Sequence, residues 1–73
     1  MKTVKIGDLV KVNGGYVALV LGIELLYPSH DASPPRNYEV QFIGNSPSWA
    51  TCKMNDIDVF LIDAFSVMGI ANG

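Results

Sequence analysis

Ile6-Gly7-Asp8-Leu9-Val10-Lys11-Val12, Asn13-Gly14-Gly15 and Tyr16-Val17-Ala18-Leu19-Val20-Leu21-Gly22-Ile23-Glu24-Leu25-Leu26 make up the stretch whose reading decides the fold. Val4, Ile6, Val10 and Val12 share one parity, with Lys5, Leu9 and Lys11 on the other, the period of a strand with one buried face. Gly7-Asp8 interrupts the pattern, so a turn falls there and the first strand runs over residues 9–12. Asn13-Gly14 tolerates positive φ, Gly15 extends the permissive region, and a tight turn follows. Residues 16–27 read as a long second strand. One parity holds Tyr16, Ala18, Val20, Leu26 and the polar Glu24; the other holds Val17, Leu19, Leu21, Ile23 and Leu25. A strand apolar on both sides is central, or it faces a partner. Two arrangements stay open. Ala18 and Val20 face the core and Leu19, Leu21 and Ile23 face outward, or Gly22 marks a bulge that curls the strand so that both parities meet the core. A helix over the same residues is the rival, and Gly15, Gly22 and the β-branched residues weigh against it.

Working outward, residues 28–37 (Pro28-Ser29-His30-Asp31-Ala32-Ser33-Pro34-Pro35-Arg36-Asn37) predict a loop, because three prolines lack the amide donor a ladder needs. Tyr38-Glu39-Val40-Gln41-Phe42 alternates cleanly, with Tyr38, Val40 and Phe42 inward. Gly44-Asn45-Ser46-Pro47-Ser48 is a turn, and residues 49–53 a fourth strand. Met54-Asn55-Asp56-Ile57 suits a single 3-10 turn with Ile57 as a plug. Val59-Phe60-Leu61-Ile62 is a fifth strand. Residues 63–73 form a tail with a weak helical turn over residues 64–68 and no charge after Asp63; it packs on its own body or on a neighbour.

The chain has 73 residues, one domain's worth. A core of that size supplies roughly 3–5 kcal/mol. Cys52 is the single cysteine, which excludes an internal disulfide and a cysteine pair for zinc, and fits a reducing compartment. Hydrophobic residues are 49% and charged residues 16% of the chain, against about 25% charged in an ordinary soluble domain. That surplus predicts an apolar patch outside the core and a protein partner or self-association. Five basic and seven acidic residues give a net charge of -2, which argues against non-specific nucleic-acid binding. The longest apolar run, residues 16–23, is far short of the about 20 residues that span a bilayer. No signal peptide is read at the start, so the expected place of synthesis is the cytoplasm.

Gly7-Asp8-Leu9-Val10, then Gly15, Ala18 and Val20, then Asn55-Asp56-Ile57-Asp58-Val59 carry a resemblance over about residues 5–62. The order of pieces resembles the Src-homology-3-like small barrels, especially KOW, Tudor-like and translation-factor domains. The resemblance implies an all-β fold, a small five-stranded barrel with a one-turn 3-10 helix before the last strand. It makes residues 1–62 the barrel and residues 63–73 an apolar C-terminal tail. The start Gly7-Asp8-Leu9-Val10-Lys11-Val12 also resembles small proteins of tailed bacteriophages, including phages of marine bacteria. That likeness implies a virion component made in the host cytoplasm, such as a capsid decoration or a neck or tail adaptor. The KOW-like side implies the alternative, a nucleic-acid or ribonucleoprotein accessory domain using Lys2, Lys5, Lys11 and Lys53.

The residues themselves suggest binding, not catalysis. His30 and Asp31 are adjacent in a loop with Ser29 and Ser33 near, and adjacency there does not supply the held geometry of a catalytic triad. No cofactor motif or metal-ligand spacing appears. Asp56, Asp58 and Asp63 form an acidic cluster whose functional reading is a rim that accepts a basic partner. Trp49 is a lid on the core or an interface anchor, aromatics being frequent hot spots. The interface candidates are Tyr16, Leu19, Leu21, Tyr27, Trp49, Phe65, Met68 and Ile70.

Overall fold

Glycine geometry starts the sheet. In the computed structural model, which describes residues 3–30, 32–52 and 58–71, Gly14 and Gly15 hold φ of 97° and 88°. They turn the chain between β1 (Leu9–Val12) and β2 (Tyr16–Leu25), which pair antiparallel with Val10 opposite Ala18 and Val12 opposite Tyr16. Gly7, at φ 95°, turns the segment before β1, and its N–H donates to the Val20 carbonyl at 2.8 Å. β3 (Pro35–Phe42) runs antiparallel along the other side of β2. Proline stands at its first position, where a missing amide costs the ladder least. The loop expected to run to residue 37 therefore ends three residues earlier, at Pro34. It is tied by the Leu26 N–H to the Pro34 carbonyl and by the Tyr27 N–H to Ser33 Oγ.

The long strand resolves its own ambiguity with a bulge. Val20 lies opposite Val40, Gly22 opposite Glu39 and Ile23 opposite Tyr38, so Leu21 is the extra residue. An inserted residue reverses the parity of everything after it. Ala18 and Val20 face the core before the bulge, and Ile23 packs against the core after it. Leu19 and Leu21 stay on the outer face, while the expectation that Ile23 also points outward is corrected.

β4 (Thr51–Cys52) is two residues long, β5 is Phe60–Asp63, a 3-10 turn covers Ala64–Ser66, and β6 is Val67–Ile70. The strand expected over residues 49–53 starts only at Thr51, because Trp49 belongs to the preceding turn; Lys53 lies outside the described residues. The residues read as a tail supply the 3-10 turn and β6, which pairs antiparallel with β1. The 3-10 turn expected at residues 54–57, with its plug Ile57, lies outside the described residues.

The six strands form one sheet in the order β4-β5-β3-β2-β1-β6. β4 and β6 are its two edges, and among the described residues no ladder joins them. The expected closed five-stranded barrel is thus corrected to an open six-stranded sheet. β6 occupies the free side of β1 and β4 the free side of β5, so the strands that would have to meet for closure are these two end strands.

The inner face is buried without a helical layer. Val10, Ala18, Val20 and Val40 have no exposed surface, and Val12, Tyr38 and Ile62 are nearly as deep. Val4, Ala50 and Ala64, from the segments outside the strands, pack against these residues together with Tyr16, Ile23, Phe42, Phe60 and Val67. Tyr16, Phe42 and Phe60 meet in successive edge-to-face contacts, with centroids 6.1 and 5.3 Å apart, the geometry favoured by ring quadrupoles.

Two glycines test this account. Gly14→Ala forces a side chain into positive φ and brings its Cβ to 3.0 Å from the Tyr16 ring; urea denaturation should show a loss of about 1–2 kcal/mol. Gly22→Ala brings its Cβ to 2.7 Å from the Glu39 carboxylate, at an ordinary φ. It should cost less than Gly14→Ala, about 0.5–1 kcal/mol, since only the Glu39 side chain has to shift.

A second test uses pH. Burial pushes the Tyr38 phenol above the ordinary 10.0 by disfavouring the phenolate. The folded protein then holds that proton more tightly than the unfolded chain. The resulting stability is present in full below about pH 10 and is lost as the pH rises beyond it. The urea midpoint should fall above about pH 10, and Tyr38→Phe should make that fall shallower.

Candidate functional site

The interface candidates are spread over two regions of the surface and the loops between them. On the outer face, Leu19 lies opposite Leu9 in β1 and Gln41 in β3, with Val17 and Leu21 beside it in β2. Leu19 is half-buried, and Leu21, held out by the bulge, is exposed. Tyr16 is half-buried against Phe42. Tyr27 is exposed in the β2–β3 loop, where the backbone bond to Ser33 Oγ holds it.

At the β6 edge, Phe65 is 97% exposed and Met68 70% exposed. The register against β1 explains Met68. Val67 lies opposite Val12 and Gly69 opposite Lys11, so Met68 is the extra residue of a further bulge. Ile70, opposite Val10, is half-buried. The Ala71 N–H donates to the Leu9 carbonyl at 2.7 Å. Backbone groups alternate in direction along a strand, so the N–H and C=O of Ile70 point away from β1, toward the open edge.

Trp49 belongs to neither region. It is 48% exposed, so it is not a lid on the core; Pro47, two residues earlier, takes the buried position. Its indole instead lines a cleft of about 230 Å³ with Asn37 of β3, Thr51 of β4, Leu61 and Asp63 of β5, and Ser66 of the 3-10 turn. Thr51 lies opposite Leu61, and Asn37 opposite Asp63, so two cross-strand pairs form its floor. Asn37 Nδ2 donates to Glu24 Oε1 at 2.8 Å. That bond orients the amide and leaves its oxygen, an acceptor, uncommitted to Glu24.

Sequence reasoning missed three participants. Ile43 and Leu61 are exposed apolar residues, and the parity of their strands marks both, Ile43 falling in step with Gln41 and Leu61 with Glu39. Asn37 carries no signal of its own, since its role arises only from the β3–β5 register. His30 is exposed in its loop; its proposed neighbour Asp31 lies outside the described residues, as does Asp56 of the acidic cluster. Among the described residues no group of three or more His, Cys, Asp and Glu side chains is placed to hold a metal. No helix among them is long and apolar enough to cross a membrane.

Comparison with protein-family models, with curated proteins and with solved structures finds no match. The resemblance to Src-homology-3-like, KOW and Tudor-like barrels is therefore corrected on two grounds, the open strand order and the absence of any matching family or structure. The likeness to bacteriophage structural proteins finds no support either, and the virion and capsid-decoration reading is withdrawn with it. What stands is a small all-β domain with an open six-stranded sheet.

Trp49 is the chain's single tryptophan, so its surroundings are directly measurable. Its emission should be that of a partly hydrated indole and be readily quenched by acrylamide in the native protein. A blue-shifted, poorly quenched emission would place it in the core instead.

Proposed function

We propose that this protein is a non-catalytic assembly module that pairs with a second copy of itself through β6. The observation that carries the reading is the β6 edge, which pairs with no further strand among the described residues. Natural edges are blunted by charge, proline or shortness. Among the described residues β4 covers only Thr51–Cys52. β6 reads Val67-Met68-Gly69-Ile70, has neither charge nor proline, and is flanked by Phe65 at 97% exposure.

Antiparallel pairing of β6 with its copy is self-complementary, as a two-fold interface requires. It continues the sheet and satisfies the outward backbone groups of Ile70. It also brings Phe65 and Met68 of each copy toward the partner. Burial of such side chains is worth roughly 1.5–3 kcal/mol each, or about 6–12 kcal/mol for the four. Association costs on the order of 4–15 kcal/mol. The balance supports a weak, concentration-dependent dimer, and multiple weak contacts are what an assembly module uses.

Light scattering after size exclusion, over a wide concentration range, tests this. The average mass should climb from monomer toward dimer as concentration rises. Met68→Lys places like charges across the two-fold and should hold the protein monomeric, whereas Leu21→Lys on the outer face should not. A parent protein that remains monomeric at about millimolar concentration overturns the reading.

A further inference from the structure

The cleft beside Trp49 is independent of β6 pairing, and its chemistry points to a specific class of ligand. Three features define it. Its volume, about 230 Å³, lies below the about 300–1,000 Å³ of pockets that take drug-sized molecules, so it suits one side chain. Its polar lining residues are Asn37, Thr51, Asp63 and Ser66, of which Asp63 alone carries a charge, and that charge is negative. One of the two N–H groups of the Asn37 amide donates to Glu24. Trp49 and Leu61, both partly exposed, supply the apolar part of its lining.

Asp63 stands at the junction of β5 and the 3-10 turn, where a side-chain oxygen ordinarily caps a helical N–H. Its backbone has the extended conformation usual for that position, φ -64° and ψ 144°, yet its side chain makes no capping bond. Among the described residues its carboxylate has no ion-pair or hydrogen-bond partner. A negatively charged cleft with an indole in its lining rejects phosphate and carboxylate by repulsion and leaves an apolar ligand facing an unpaired carboxylate. A cation satisfies both the carboxylate and the indole.

We propose that this cleft binds the guanidinium of an arginine side chain presented by a partner protein. A guanidinium is planar, stacks on an indole, and gives a fork of donors to a carboxylate and an amide oxygen together. An ammonium is more strongly hydrated and offers no flat face, so lysine binds less well. Leu61 contacts the aliphatic stem. The acidic rim read from the sequence thus acquires a definite member, Asp63, and a definite companion, Trp49.

The test uses the intact protein and N-acetyl-arginine-methylamide, with the citrulline and lysine counterparts as controls. Trp49 fluorescence and backbone amide NMR shifts are followed. The arginine amide should bind saturably with a dissociation constant on the order of 1 mM, with the largest shifts at Trp49, Asp63 and Asn37. The citrulline counterpart keeps the shape without the charge and should bind at least about tenfold more weakly. Asp63→Asn should weaken arginine binding about fivefold or more while leaving the circular dichroism unchanged, since the carboxylate is exposed. Added salt should weaken binding to the parent more than to Asp63→Asn. Equal binding of citrulline, tighter binding of lysine, shifts centred elsewhere, or an unchanged affinity in Asp63→Asn would each overturn the proposal. A strictly monomeric protein would not touch it, so its failure and that of β6 pairing are separable.

Discussion

The extra residue at Leu21 governs this structure. One insertion opposite the Val40–Glu39 step lets a single strand present Ala18 and Val20, and then Ile23, to the same core. A regular strand of ten residues would send its later apolar side chains to the opposite face. The sheet could not then bury Tyr38 from both neighbours, and the inner face would end at Val20. Gly22 permits the arrangement by leaving room for Glu39, whose carboxylate lies where a β-carbon would project. The core of valines and one tyrosine follows from that local irregularity.

An open sheet without a helical layer has two exposures to manage, its outer face and its edges. The outer face is only partly polar, with Lys11, Gln41 and Glu39 set among Leu9, Val17 and Leu19. The two edges are treated differently. β4 covers two of the described residues, while β6 covers four, is uncharged and is flanked by exposed apolar side chains. In a chain whose small core contributes only a few kcal/mol, leaving such an edge open is a liability unless something covers it. The same economy of material shapes the cleft at Trp49. Its lining comes from cross-strand pairs, one loop and the 3-10 turn, and its charge from the Asp63 carboxylate.

Much of this was legible in residue pattern. The turns at Gly7 and at Gly14-Gly15, the limits of β1, the alternation of Tyr38, Val40 and Phe42, and a bulge at Gly22 all follow from local chemistry. Positive φ belongs to glycine, period two belongs to strands, and a glycine in an apolar strand marks an irregularity. The surplus of apolar residues over charges also pointed to exposed hydrophobic side chains, and Phe65, Met68 and Trp49 are among those exposed.

Pairing over long distances is where pattern ran out. Residues 67–70 are as compatible with a tail as with a strand, because four uncharged apolar residues carry no period; the free side of β1 made them a strand. Closure failed for the same kind of reason, since whether the end strands meet depends on the lengths and bulges of both together. The Trp49 cleft joins Asn37, Thr51 and Asp63, and only the registers of β3, β4 and β5 bring them side by side. Sequence by itself determined the turns, the alternation within strands and the excess of apolar surface, all set by interactions between near neighbours along the chain. Tertiary structure alone decided which parity was buried after the bulge, that the sheet stayed open, and where a negatively charged cleft formed, because each depends on which strand edges found a partner.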